Sequence, residues 1–342
     1  MTAATFMRQE IDEIPDAVTR FLAGSADALA EGGKALRATN PALIVTIARG
    51  SSDHAAAFLK YAIELTAGIP VASIGPSIVS IYGRELKLGG CASIAISQSG
   101  KSPDIVALAR SARRNGALSF ALTNTAGSPL AEASDHTIDL LAGPERSVAA
   151  TKSFVSSVVA GLALLAHWQQ DRALQTALGE LPGVLERAIG CDWSALLAAL
   201  DGRQSLYVLG RGPALAIAAE AALKFKETCA IQAEAYSAAE VLHGPARIVE
   251  KGYPVLAFAA RDAAEASVAE IADRLAGQGA RAFITSSRAQ AASALPFAQA
   301  GHPLTDALAL IASFYGFAEA LSRHRGYDPD KPPHLKKVTE TL

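Results

Sequence analysis

Glu220, Lys224 and Glu227 stand at i, i+4 and i+7 in the run EAALKFKE, a spacing that sets all three on one side of a helix. As bare pattern this is a solvated salt-bridge stripe, in which each pair is worth only about 0.3–0.5 kcal/mol. The surrounding run ALAIAAEAALKF is otherwise apolar, so Glu220 and Lys224 are expected to be buried, and buried charges need partners or a task. A carboxylate beside an ammonium group suits the transfer of a proton between neighbouring carbons, with the ammonium polarising the adjacent oxygen. His243, in VLHGP, adds a group that titrates near neutral pH, although a lone histidine is more often structural.

A second constellation is ISQSGKSPD, Ile96 to Asp104, between the apolar run GGCASIA and the helix-like DIVALARSARR. The N–H groups at a helix start lack intrahelical partners and carry partial positive charge, so a strand-to-helix turn seats anions. Ser97, Ser99 and Ser102 add hydroxyl donors, and Gly100 lets the backbone approach a ligand closely. A phosphate monoester fits this inventory. A nucleotide fits less well, because there is no GxxxxGK[ST] and ARGSSDHA lacks the three-glycine dinucleotide spacing. The competing reading is that Ser102 caps its helix and the other serines are turn residues.

The elements that must position these groups repeat. ALIVTIA, PVASIG, CASIAIS, LSFALT and HTIDLLA alternate with helical patterns, the mark of a parallel sheet with helices on both faces. After a helical stretch from about Thr151 to Leu200 the alternation resumes with SLYVLG, YPVLAFAA and ARAFIT. Laying LIVTIARGSSDHAAAFLKYAIE over SLYVLGRGPALAIAAEAALKFKE puts Arg49-Gly50 on Arg211-Gly212, an internal repeat of about 160 residues. The expected organisation is an N-terminal helical segment (1–35), two α/β domains (36–170 and 201–325) joined by a helical connector (171–200), and a C-terminal tail (326–342). Ligands in such sheets sit at the carboxyl ends of strands, so the chemistry is sought in ARGSSD and SQSGKSPD. The matching second-repeat loop, FAARDAAEAS, has no hydroxyl cluster, which places a single phosphate site in the first repeat.

Composition excludes several classes. At 31 basic against 33 acidic residues in 342, there is no electrostatic footprint for nucleic acid or an anionic membrane surface. The start MTAATFMRQEIDEIPD lacks the pattern of a secretion signal, and the longest uncharged run, Ser153 to Gln170, reads as a buried helix. Cys91, Cys191 and Cys229 form neither a metal spacing nor a redox pair, suit a reducing cytoplasm and are expected in the core. The histidines are scattered with no carboxylate at ligand spacing, so neither a metal nor another cofactor is expected.

SQSGKSPD, SVAATKSF and EAALKFKETCAIQAEAYSAAEVLHGP together resemble the isomerase half of glucosamine-6-phosphate synthase, a tandem pair of sugar isomerase (SIS) domains; the likeness runs from MRQEIDEIPDAV to HLKKVTET. The resemblance implies two flavodoxin-like parallel sheets flanked by helices. It implies that Ser97, Gln98, Ser99 and Ser102 hold a sugar phosphate, that Ser51 and Ser52 line the sugar site, and that Val148 and Ala150 touch the sugar. Arg49 replaces a small family residue and makes the first loop more cationic, suited to a phosphate or to a substrate carboxylate. The resemblance further gives Glu227 the proton shuttle, Lys224 a supporting role and Glu220 the task of holding the constellation. By the same resemblance His243 is expected to open the sugar ring from a neighbouring subunit of a homodimer, and Lys337, with Lys336 as rival, to form a Schiff base with the open-chain ketose.

The synthase draws ammonia from a separate amino-terminal domain, and this sequence has Thr2 after its methionine and about forty residues before the first sheet. The expectation is therefore a cytoplasmic glucosamine-6-phosphate deaminase, yielding fructose 6-phosphate and ammonia without a cofactor. The rivals are a deglycase of phosphorylated sugar–amine adducts, an ammonia-dependent synthase isomerase and a non-catalytic sugar-phosphate sensor.

Overall fold

Short uninterrupted apolar runs become strands buried on both faces, because helices cover each side of a parallel sheet. The computed structural model describes residues 4–337. Helices α1 (Phe6–Asp12), α2 (Ile14–Gly24) and α3 (Ala26–Thr39) lead into β1 (Ile44–Ile47), α4 (Ser51–Ala67), β2 (Val71–Ser73), α5 (Ser77–Ser80), β3 (Ala92–Ile96) and α6 (Pro103–Arg114). Next come β4 (Leu118–Thr123), α7 (Pro129–Glu132), β5 (His136–Asp139), α8 (Lys152–Gln169), α9 (Arg172–Ile189) and α10 (Ser194–Leu200). The second series is β6 (Ser205–Gly210), α11 (Pro213–Cys229), β7 (Gln232–Ser237), β8 (Pro254–Ala257), α12 (Glu265–Gly277), β9 (Arg281–Ile284), β10 (Ser293–Ala294) and α13 (Pro303–His324).

The two sheets have one topology. The first runs β2-β1-β3-β4-β5 and the second β7-β6-β8-β9-β10, every pair parallel, which is the flavodoxin-like order in both. The first-sheet unit comprises Asp16–Glu145, Lys152–Gly179 and residues 336–337; the second-sheet unit comprises residues 4–15, Arg146–Thr151 and Glu180–Leu335. Within the first, Val45, Ile47, Ala95 and Leu108 share one apolar core. Within the second, Leu209, Val255, Ala257 and Val268 do the same.

The repeat is visible at the level of single dihedrals. Gly50 precedes α4 at φ 56°, ψ −134°, and Gly212 precedes α11 at φ 61°, ψ −137°. Glycine adopts that backbone readily and a side chain does not, so Arg-Gly at these two places marks one strand-to-helix turn used twice.

Two expectations need amendment. The strand β7, QAEAYS, was not among the expected strands: it lies at the sheet edge, exposes alternate residues and so lacks a continuous apolar run. Of the cysteines only Cys229 is buried; Cys91 and Cys191 are half-buried at the ends of elements. The uncharged run forms α8, buried almost throughout. Among the described residues one helix, α13, is long and apolar enough to cross a membrane by length and composition, but 89% of its apolar window is buried inside the protein.

Candidate active site

In the first-sheet unit, β1 and β3 are adjacent and in register, Ile47 opposite Ala95, so their carboxyl ends deliver the ARGSSD and SQSG turns side by side. Ser97 is buried, and its Oγ accepts from the Gly100 N–H at 3.2 Å. Ser99 Oγ accepts from the Lys101 N–H at 3.3 Å. Gly100 is held at φ +63°, and a Cβ there would lie 2.1 Å from Ser128 Oγ, so only glycine fits this turn. Ser102 occupies the cap position of α6, yet its hydroxyl accepts from none of the helix N–H groups. The capping account of Ser102 is thereby removed. Ser51 and Ser52 open α4, half-buried.

Arg49 joins the two turns. Its Nη2 and Nε lie 3.0 and 3.2 Å from Oδ2 of Asp104, a buried carboxylate in the first turn of α6. The guanidinium charge is thus matched within the protein, while about half of the Arg49 side chain stays exposed (53%).

A cleft of roughly 660 Å³ in the same unit is lined by Gln98 of the serine loop together with Arg20, Asn124, Asp139 and Glu145, among others. Glu145 is buried and accepts from the Ser153 N–H at 3.1 Å, from Ser153 Oγ at 2.6 Å and from Lys337 Nζ at 2.8 Å. Burial pushes its carboxyl up, but Lys337 and the Ser153 donors prevail and hold it below the ordinary glutamate range. Lys337 therefore bonds a carboxylate that lines the Gln98 cleft, whereas Lys336 is exposed.

In the second-sheet unit α11 carries the charged trio. Glu220 and Lys224 are fully buried, and Lys224 Nζ lies 3.3 Å from Glu220 Oε1 and 2.5 Å from Glu227 Oε2. Tyr315 of α13 donates its hydroxyl to Glu220 Oε1 at 3.2 Å. Phe225 of α11 and Phe314 of α13 meet edge-on at 5.0 Å, so the two helices share an aromatic contact as well as the Tyr315–Glu220 bond. Burial alone would lower the Lys224 ammonium, but Glu220 and Glu227 outweigh it and drive it above the usual lysine range. Lys224 is consequently a fixed cation and a hydrogen-bond donor, not a base. The chain of groups Tyr315–Glu220–Lys224–Glu227 has one end open to solvent: the Glu227 side chain is 22% exposed while its partners are at 0%.

The remaining expected residues sit on other segments of this unit. Val148 and Ala150 are half-buried on the segment Arg146–Thr151, where the buried carboxylate of Glu10 accepts from the N–H groups of Arg146 and Ser147 and from the Ser147 hydroxyl, and Val148 N–H donates to the Asp330 carbonyl at 3.3 Å. His243 is exposed at the end of the 3-10 turn Glu240–His243, followed by Gly244 at φ 142°. Tyr207 fixes that corner by donating its hydroxyl to the Pro245 carbonyl at 2.9 Å. Among the described residues His243 makes no hydrogen bond or ion pair to the α11 trio.

Sequence reasoning missed Asp104, Glu145 and Tyr315. Glu145 had a signal: it is the acidic residue in GPERSVAAT, two positions ahead of the SVAATKSF motif. The other two meet their partners only through the fold.

Comparison with known proteins agrees with the architecture. The family model for the SIS domain matches residues 39–167 and 200–298. A curated relative, the glutamine–fructose-6-phosphate aminotransferase (isomerizing) of Aeropyrum pernix, is 33% identical over 97% of the chain, which spans only 57% of that relative. A crystal structure from Silicibacter pomeroyi DSS-3, provisionally called a phosphosugar isomerase, is 56% identical with a TM-score of 0.93, covering 96% of this chain and 100% of that one. The C-terminal domain of glucosamine-fructose-6-phosphate aminotransferase from Francisella tularensis is 25% identical with a TM-score of 0.86, covering 97% and 99%.

Proposed function

The chain belongs to the SIS domain family, and from that premise we propose that it is an aldose–ketose isomerase of hexose 6-phosphates that releases ammonia from glucosamine 6-phosphate. The observation that carries this reading is the buried charge chain of α11, with its single open end at Glu227. A carboxylate that is exposed at one edge and tethered to a permanently protonated lysine can take a proton from one carbon and return it to the next. The lysine cation stabilises the negative charge that develops on the neighbouring oxygen.

The roles follow the residues. The hydroxyls of Ser97, Ser99 and Ser102, the Gln98 side chain and the first-turn N–H groups of α6 hold the phosphate monoester, with Ser51 and Ser52 on the adjacent turn. Val148 and Ala150 contact the sugar. His243, contributed by the second subunit of a homodimer, opens the ring. Glu227 moves the proton from C2 to C1, which converts the open-chain amino aldose to a ketose imine; water then cleaves the imine to fructose 6-phosphate and ammonia. Lys337 receives the ketose carbonyl. No cofactor takes part, and a cytoplasmic location fits the substrate.

A second reading rests on the relatives named aminotransferases: the same residues run in the opposite direction, forming glucosamine 6-phosphate from fructose 6-phosphate and ammonia. Incubating the purified chain with glucosamine 6-phosphate, and separately with fructose 6-phosphate plus an ammonium salt, distinguishes them. Free ammonia and fructose 6-phosphate from the first mixture at the higher rate support the deaminase. Product from the second mixture alone supports the synthase direction, and turnover of neither contradicts both.

A further inference from the structure

We propose that Glu145 is a positioning residue for the tail lysine: it is the fixed counter-ion that seats the Lys337 amine against the cleft lined by Gln98, both before a sugar arrives and after one is bound covalently. The inference deepens the functional reading above and rests on it for the identity of the sugar and for imine formation at Lys337.

The geometry has three parts. First, Glu145 is anchored without help from Lys337. Its Oε1 accepts from the Ser153 N–H at 3.1 Å and its Oε2 from the Ser153 hydroxyl at 2.6 Å, both in the first turn of α8, whose N–H groups favour an anion. Second, this buried carboxylate faces the cleft that Gln98 lines, and the other charged groups of that wall have partners of their own. Arg20 donates to the carbonyls of Leu141 and Ala142, and Asp139 accepts from the Leu141 N–H. Third, Lys337 reaches Glu145 at 2.8 Å with only a quarter of its side chain exposed, while the adjacent Lys336 stays in solvent.

The chemistry of imine formation makes such a counter-ion useful throughout. In the net step Lys337–NH₃⁺ and the sugar carbonyl give Lys337–NH⁺=C and one water. A carbon–nitrogen double bond replaces the carbon–oxygen one, two of the three ammonium protons leave with the oxygen, and the positive charge remains on nitrogen. A carboxylate beside that nitrogen is therefore paired with a positive charge at both ends of the step and can hold it in place throughout.

The test is competitive labelling of the full chain with trace acetic anhydride, which acylates neutral amines, followed by fragmentation mass spectrometry to separate Lys336 from Lys337. In the unsubstituted protein Lys337, only a quarter exposed and bonded to Glu145, should be labelled about tenfold less than the exposed Lys336, the factor that one hydrogen bond to a charged group supplies. Glu145→Gln should bring the ratio toward one, and Glu145→Asp, which keeps the charge, should restore part of the protection. Equal labelling of both lysines in the unsubstituted protein overturns the proposal without any variant, and so does a ratio that E145Q leaves unchanged. In parallel, borohydride is added with fructose 6-phosphate. An adduct on Lys337 that falls severalfold in E145Q, because the amine is no longer seated against the cleft, supports the positioning role; an adduct undiminished in E145Q overturns it. Absence of an adduct in the unsubstituted protein counts against the sugar reading, while the labelling ratio still decides the role of Glu145.

Discussion

The same sheet edge appears twice in this molecule and is used differently. After β3 the first-sheet unit places Ser97-Gln98-Ser99-Gly100, with hydroxyls and a glycine that brings the backbone close. After β8, the strand in the same position of the second sheet, stand Phe258-Ala259-Ala260-Arg261. Arg261 fills that turn itself: its Nε pairs with the buried Asp306 at 2.7 Å, its Nη1 and Nη2 donate to the carbonyls of Thr285 and Ala259, and it stacks on Phe297 at 4.0 Å. A ready-made anion seat is plugged by an internal ion pair. In exchange, the second unit puts its charges on the helix after β6, where the matching helix of the first unit, α4, has no buried charged residue. On the function proposed above, duplication of one scaffold would separate holding from chemistry, with the turn of one unit for binding and the helix of the other for proton transfer.

That division can be broken or sharpened. The largest effect is expected for Glu227→Gln, which should lower kcat by about a thousandfold, within the range of a lost general base, and leave KM nearly unchanged; steady-state kinetics on glucosamine 6-phosphate reads both. A rise in KM with kcat intact would assign Glu227 to binding. Lys224→Met removes the cation between two carboxylates and breaks the buried Glu220–Lys224 pair, a cost of about 3–5 kcal/mol that should appear as a large drop in melting temperature. Asp306→Ala should destabilise by a similar or slightly smaller amount, about 3 kcal/mol, because it strands Arg261, and it should leave KM alone if the second turn holds no ligand.

Replacing Ser99 and Ser102 by alanine is the converse of the Glu227 change. KM should rise about a hundredfold for the two hydroxyls together while kcat changes less, as each lost hydrogen bond to a charged group removes roughly 1.5 kcal/mol, about tenfold. The smallest effect concerns acid. Glu145 has a folded-state carboxyl held below the ordinary glutamate range, so it contributes stability above that ordinary value and loses it as pH falls through the folded one. Melting temperature should therefore decline on acidification below the glutamate range, and less steeply in E145Q.

Much of this division was legible in the amino-acid sequence, for identifiable reasons. Central parallel strands are buried on both faces, so IVTI, ASIAI and YVL stand out as apolar runs, and Arg-Gly recurs because one unusual backbone conformation recurs. The burial of Glu220 and Lys224 followed from their apolar flanks. Edge strand β7 did not stand out, since Gln232 and Glu234 face water and interrupt the apolar run. Nor did the pairs Arg49–Asp104 and Arg261–Asp306: their members lie far apart in sequence and meet only because strand order brings one loop to another element. The tail had two candidate lysines with identical chemistry; only the fold shows Lys337 on Glu145 and Lys336 in solvent.

The central claim is that the open end of the α11 charge chain carries a proton between neighbouring sugar carbons. Proton NMR of fructose 6-phosphate incubated with the protein in deuterium oxide tests it most directly. The account predicts loss of a carbon-1 proton signal as solvent deuterium enters, and no such exchange with Glu227→Gln at equal protein concentration. Exchange that proceeds at the ordinary rate in the Gln variant would contradict it.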